Sequence, residues 1–558
     1  MQAHPSRVIP GTRIAGLLGL GLAALPVTSM AWNPANTAAD LVIIMAGSSL
    51  MDNSLYSVLR DNLCDVADTS WLNANATAGP VDSSKISQAT WGVACTLVPG
   101  SVPNLQNIGQ GKLLFLKYSG ESSWGVYPLV QTSTGSSAAK RANQRPVSVI
   151  NPASCIADPT GFWSYRCDKT APALIDAGVT QIPNSSYTGD NKPDDKTMTA
   201  ITPAQLALVS SSYYQAGIAG ITASTLLRNA LQQAEFGMDH DCVGKETEAC
   251  MPSLTSAQLA SVLSGRIQDW KHFKVTSRKT GTVASLTDDS ITSSQVKTGL
   301  AAGAGAFDSK VHICARQKGT AVRAGANFSL LASPCSTSGL SWATTNPVTG
   351  PIVATGSATQ FAQCMTDVTN GTLSSGGSLE QAVKTARTAW ALGPQGTEKN
   401  ANGASPYRFI KIDGFAPTQE NVWNGSYRYW YEFAMNWRTD LSKETRTTLA
   451  QPASALANKT AGSGNTGSNK IAFLKQLTAV AGNPTTITRF NESFARHGFG
   501  LAGYFSVAGG TGIPDPDGGP YRSSNPVLNY SHADSTGKMD LCRPAAINTK
   551  YQSATPLF

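Results

Sequence analysis

Apolar residues in this chain come in short unbroken runs rather than in long alternations. Asp40-Leu-Val-Ile-Ile-Met-Ala46 is continuous and stops at Gly47-Ser48-Ser49. A run of that length, closed by glycine, predicts a strand buried on both faces, as in a parallel sheet. Leu113-Leu-Phe-Leu-Lys-Tyr118 predicts a second one, followed by Ser119-Gly120-Glu121-Ser122-Ser123. Three polar signatures predict helix starts. Thr202-Pro203-Ala204-Gln205 offers a capping box with proline in the first turn, and Ile201 and Leu206 as its staple. Thr255-Ser-Ala-Gln258 repeats the device with Leu254 and Leu259. Leu259, Val262 and Leu263 then line one face, and Gly265 ends the helix. Ser378-Leu-Glu-Gln381 predicts a third helix running through Trp390. Strands alternating with capped helices predict an α/β chain with parallel sheets. Residues 181–200 and 451–470 lack periodicity and predict exposed loops or linkers, and 510–536 predicts irregular backbone. No internal repeat is visible.

The 558 residues allow two to four domains. A 41% hydrophobic content with only 14% charged residues implies a large core and a surface carried by Ser, Thr, Asn and Gly. The net charge of +8 is mild for this length and no Lys/Arg block stands out, which argues against nucleic-acid binding. Residues 1–31 read as an export signal: Arg7 and Arg13, an apolar stretch from Ile14 to Leu25, then Ser29-Met30-Ala31. The apolar stretch is short for a membrane anchor, and no later stretch is long and apolar enough to span a bilayer. No cysteine stands directly after it, so no lipid anchor is expected. All ten cysteines lie beyond the signal, which predicts disulfides in an oxidising compartment, the periplasm or the outside of the cell. Spacing suggests Cys155 with Cys167, Cys242 with Cys250, Cys314 with Cys335, and Cys64 with Cys95. Cys364 and Cys542 are then left over. No CxxC pattern suggests zinc.

Six blocks, in order, resemble the phosphate-binding family of periplasmic solute-binding proteins. Ile43-Ile-Met-Ala-Gly-Ser-Ser49 is similar to the family's first ligand loop, and Ser119-Gly-Glu-Ser-Ser-Trp-Gly-Val-Tyr127 to its second. Ala173-Leu-Ile-Asp176 stands where the family carries an acidic ligand. Pro252 to Trp270 ends in Gly-Arg-Ile-Gln-Asp-Trp, as a family helix does. Cys314-Ala-Arg-Gln-Lys-Gly-Thr-Ala-Val322 resembles the anion loop, and Ile410 to Tyr427 the return segment. The resemblance implies a two-lobed type II periplasmic-binding-protein fold: α/β, with mixed, mostly parallel sheets flanked by helices and a ligand cleft between the lobes. Residues 38–200 and 395–558 would form lobe one, with 440–558 partly an extension, and 201–394 would form lobe two. It further implies no cofactor, no catalysis, an oxyanion such as phosphate or a phosphorylated solute as ligand, and delivery to a membrane ABC transporter.

The chemistry fits such a ligand. Ser/Gly loops that leave parallel strands present amide and hydroxyl donors, which suits Gly47, Ser48, Ser49, Ser122, Ser123, Gly319 and Thr320. Arg316 would fork onto two anionic oxygens. Asp176 would accept a hydrogen bond from a protonated ligand oxygen, as phosphate offers and sulfate does not. Three departures from the family stand out. Glu121 replaces a glycine and would oppose an anion, Lys318 replaces a smaller or acidic residue, and Ala321-Val322 lacks a glycine and a hydroxyl. Three other functions compete. Ser48 with Asp269 and His272 could serve a serine esterase. Met238-Asp239-His240-Asp241-Cys242 collects possible metal ligands. The fold could also act as a scaffold for an extracellular surface or adhesive protein.

Overall fold

The computed structural model describes residues 33–35, 37–74, 90–158, 163–277, 280–299, 307–343, 352–355, 358–370, 388–399, 405–444, 462–483, 486, 504–507, 527–528, 530–533 and 539–547. The export signal and the Ser378 capping box lie outside them.

The chain folds as mixed α/β around one large mixed sheet flanked by helices. Its strands are β1 (Leu41–Ser48), β2 (Cys64–Asn73), β3 (Thr90–Leu97), β4 (Lys112–Gly120), β5 (Cys155–Ala157), β6 (Tyr165–Cys167), β7 (Ala177–Thr180) and β8 (Val209–Ser224). After them come β9 (Asp308–Arg316), β10 (Ile352–Thr355), β11 (Ala389–Gly396), β12 (Tyr407–Phe409), β13 (Trp430–Arg438), β14 (Tyr504–Val507) and β15 (Val527–Leu528). The order is β10-β9-β11-β8-β13-β7-β1-β4-β3-β2-β6-β5, with β12 and β14 also on β8 and β15 on β14.

Every residue of β1 is buried, as its unbroken apolar run requires. β1 pairs in parallel with β4, from Leu41 opposite Leu113 to Ser48 opposite Gly120, and with β7, where Gly47 faces Val179. The carboxyl ends of β1, β4 and β7 therefore lie side by side. β9 has parallel partners in β10 and β11. The long strand β8 joins the two groups. Its first part pairs antiparallel with β13, from Val209–Arg438 to Ile218–Trp430, and its last part with β11, from Ala219–Gly396 to Ala223–Leu392.

The main helices are α1 (Asp52–Val58), α2 (Thr225–Phe236), α3 (Ser256–Leu263), α4 (Ala321–Leu330), α5 (Ala358–Asn370) and α6 (Gly467–Ala481). The Thr255 capping box is complete in both directions and α3 buries Leu259, Val262 and Leu263. Gly265 follows with a φ of +73°. The Thr202 box is complete as well, but its helix is a single turn, Pro203–Leu206, because the chain is drawn straight into β8.

Three expectations are corrected. Trp390 lies in β11, opposite Val311 of β9, so no helix runs through it; sheet pairing overrides a helix-forming local composition. Residues 181–200 are not an exposed loop throughout: Gln181, Ile182, Asn184, Tyr187 and Asn191 are buried, and Asn191 accepts from Asn327 of α4 at 2.7 Å. Residues 467–470 open α6, and Lys470 is buried.

The cysteine pairs are Cys64–Cys95, Cys155–Cys167 and Cys242–Cys250, as spacing suggested. The other four pair differently, as Cys314–Cys364 and Cys335–Cys542. Cys314 lies on β9 and α5 packs across that strand, so Cys364 is its neighbour in space although not in sequence. No described helix is long and apolar enough to cross a membrane.

Candidate functional site

The loops that follow β1, β4 and β9 meet. Between the first two, contact is made through glycine. A Cβ on Gly47 would stand 2.7 Å from the Gly125 Cα, and one on Gly125 would stand 2.2 Å from the Val179 carbonyl oxygen. No other residue type allows that approach. The third loop is joined by a hydrogen bond: the Ser123 N–H donates to the Gly319 carbonyl at 3.1 Å. A Cβ on Gly319 would meet the Ser123 Oγ at 2.9 Å. Gly47, Ser48, Ser122, Ser123, Gly319 and Thr320 thus gather at the carboxyl ends of parallel strands, where open α/β sheets present backbone donors.

The individual hydroxyls differ in how they are engaged. Ser48 Oγ accepts from the Leu50 N–H at 3.2 Å and caps the turn Ser49–Met51. Ser49 is exposed. Ser122 Oγ accepts from the Gln181 N–H at 2.7 Å and from the Tyr187 hydroxyl at 2.8 Å, which leaves its own proton to donate. Ser123 Oγ is fully buried and makes no hydrogen bond of ordinary geometry. Thr320 donates to the Gln317 carbonyl at 2.7 Å and tightens the turn before α4.

A buried cation, Lys117, supports the first loop. The Lys117 ammonium lies 2.7 Å from Asp52 Oδ1. It also donates to the carbonyls of Gly47 at 3.0 Å and Ser48 at 3.2 Å. Because a trans peptide directs its C=O and N–H oppositely, the N–H groups of Ser48 and Ser49 point away from Lys117. Burial pushes the Lys117 pKa down and the Asp52 pKa up, against the mutual attraction of the pair. Lys117 sits in the predicted strand, but a single lysine in an apolar run gives no sign of a buried partner.

Arg316 ends β9 close enough to Glu121 for its charge to act on that carboxyl. Burial nevertheless pushes Glu121 up to about 7, with Arg316 and the Ser123 hydroxyl opposing and Asp195 reinforcing the rise. Near neutral pH Glu121 is therefore drawn towards its protonated form. The position that was expected to oppose an anion can instead donate to one. Lys318, the second departure, is held by Asp190 at 3.4 Å and Asp194 at 3.1 Å, and so serves the 190–194 turn.

Asp176 does not join this group. It precedes Val179, the partner of Gly47, by three residues, roughly 10 Å back along the strands. Its carboxylate is fully buried between Arg141 at 2.6 Å and Lys470 at 2.7 Å, and it also accepts the Ile44 N–H at 2.9 Å. The acid is engaged as the centre of an ion triad that ties α6 to the sheet.

The residues of the competing readings are also accounted for. Asp269 accepts from the Lys271 N–H and pairs with Lys310 at 3.3 Å. Lys310 is near the start of β9, ~20 Å from the Arg316 end, and His272 is exposed beside it, so the esterase set is not assembled around Ser48. His240 accepts from the Cys242 N–H and stacks on Phe236, while Cys242 is in a disulfide. Among the described residues no cluster of three His, Cys, Asp or Glu side chains could hold a metal ion.

No family model matches the chain, and no curated protein matches it. Solved structures similar to it include a protein from Clostridium perfringens described as a phosphate ABC transporter substrate-binding protein with bound phosphate. The identity is 10%, covering 83% of this chain and 99% of that one at a TM-score of 0.33. A possible phosphate binding protein from Planctomyces limnophilus DSM 3776 is 12% identical over 80% of this chain and 99% of that one, at a TM-score of 0.25. An ABC-type phosphate transport receptor from Vibrio cholerae is 14% identical over 50% and 75%, at 0.23.

Proposed function

We propose that this protein is an exported solute-binding protein that captures an oxyanion, phosphate or a phosphorylated solute, between the loops after β1, β4 and β9, and passes it to a membrane transporter. The observation that carries this reading is the Ser123–Gly319 contact, which joins two Ser/Gly strand-end loops from opposite sides of β8. In this reading Ser49, the Ser122 proton, Ser123 and the Gly319-Thr320 turn supply neutral donors, and Arg316 supplies the charged fork. The acceptor of a ligand proton, assigned to Asp176 from the sequence, passes to Glu121. Ionised, it accepts from a protonated phosphate oxygen; protonated, it donates to an anionic one.

Binding and release of this kind need no bond-making residue. The lobes of the proposal are 38–200 with 395–558, and 201–394, hinged where β8 changes partners from β13 to β11. Five disulfides support an oxidising destination, periplasmic or extracellular. Isothermal titration calorimetry with phosphate tests the reading. Saturable binding, weakened roughly ten- to hundred-fold by Arg316→Ala, is expected from the loss of a charge-assisted pair. No heat with phosphate, phosphonates or sugar phosphates would remove the transport role and leave the scaffold reading.

A further inference from the structure

A cavity of about 510 Å³ opens beside α4, at Gly325, Phe328 and Ser329. Its walls come from three places: α4 itself, residues between Val422 and Trp430, and Tyr530, His532 and Leu541–Ala545, of which Cys542 is bonded to Cys335. The volume suits a small organic molecule. Phe328, Tyr427, Trp430 and Tyr530 give it flat apolar walls. Arg428 and Arg543 also line it; both are exposed, and neither makes an ion pair among the described residues.

The polar centre is a fixed histidine. Glu432 is buried, and its Oε2 lies 2.9 Å from His532 Nδ1. Its Oε1 accepts from the His532 N–H at 2.9 Å and from the Ser531 hydroxyl at 3.2 Å. The imidazole packs against Trp430 with ring centroids 4.5 Å apart. An acceptor carboxylate at Nδ1 selects the tautomer with the proton on that nitrogen, so that Nε2 of the neutral ring is the acceptor. His532 Nε2 has no hydrogen-bond partner among the described residues, and the residue lines the cavity. A buried histidine held this rigidly, beside an aromatic-walled space and two guanidinium groups without an ion pair among the described residues, is more than a rigid tail requires.

We propose that this cavity is a second ligand site, for a hydroxylated aromatic carboxylate. The ring would lie between the aromatic walls, the carboxylate at Arg428 and Arg543, and the hydroxyl would donate to His532 Nε2. The site is independent of the oxyanion loops.

The test uses the full mature protein with 4-hydroxybenzoate as probe, followed by tryptophan fluorescence and calorimetry. Saturable binding is expected. It weakens at least tenfold in the Arg428→Ala/Arg543→Ala double variant, which alters only exposed side chains, and persists unchanged in Arg316→Ala. Benzoate binds several-fold more weakly than 4-hydroxybenzoate, and that preference disappears in His532→Phe once near-UV circular dichroism has shown the variant folded. No saturable binding by the wild type, equal affinity in the double arginine variant, or equal binding of benzyl alcohol would overturn the proposal.

Discussion

Glu121 decides how the site responds to pH. Burial favours its neutral form, so its folded pKa of about 7 stands above the ordinary 4.5. The sign for stability follows. The folded protein holds this proton more tightly than the unfolded chain, so stability is greatest below about 4.5 and falls as pH rises towards about 7. Glu121→Gln is expected to be more stable than the wild type at pH 8 and no different at pH 4, as urea midpoints will show. Because either form of Glu121 can meet phosphate, phosphate binding should persist as pH rises through about 7, whereas sulfate, which offers no proton, should bind below about 7 and be lost above it; Glu121→Gln should remove that loss. Asp176 serves the fold instead, because it lies between two buried cations, Arg141 and Lys470. Asp176→Ala strands Arg141 and Lys470 and is expected to cost about 3–5 kcal/mol, while the folded fraction binds phosphate as before. The sequence displays both acids but not which one is enclosed by cations. A charge pattern gives residue types, and burial and partners arise only when distant segments such as 141, 176 and 470 come together.

At the scale of elements, the strand-end loops depend on close packing of glycines. Gly125→Ala would place a methyl on the Val179 carbonyl and push the second loop off β7, the strand beside β1. A loss of roughly 1–3 kcal/mol in stability, with phosphate affinity falling alongside, is expected by chemical denaturation and calorimetry. The elements most legible in the sequence were those with one dominant local signal: the apolar runs of β1 and β4, and the two described capping boxes. β8 was not legible. Its Val-Ser-Ser-Ser-Tyr-Tyr-Gln-Ala-Gly-Ile-Ala-Gly-Ile-Thr-Ala-Ser run has neither clear alternation nor an unbroken apolar stretch, because successive parts face different partners. β11 carries Gly393, Pro394 and Gly396, and only its place between β8 and β9 makes it a strand.

At the scale of the molecule, the Cys335–Cys542 bond spans 207 residues of sequence, against 8 for Cys242–Cys250. In the chain-entropy picture the longer closure contributes roughly 3 kcal/mol more. Removing it by a double alanine substitution is therefore expected to lower the denaturation midpoint further than removing Cys242–Cys250. Peptide mapping without reduction should recover Cys314–Cys364 and Cys335–Cys542. That pairing was hidden in the sequence because nearness along the chain stands in for nearness in space only within hairpins. The order of the matching loops was legible, and their convergence is what three-dimensional structure adds. A crystal of the protein grown with arsenate, a phosphate analogue located by anomalous scattering, tests that convergence most directly. The peak should fall among Ser49, Ser123, Arg316 and Gly319; a peak elsewhere, or an occupied crystal with those residues turned away from the anion, would contradict it.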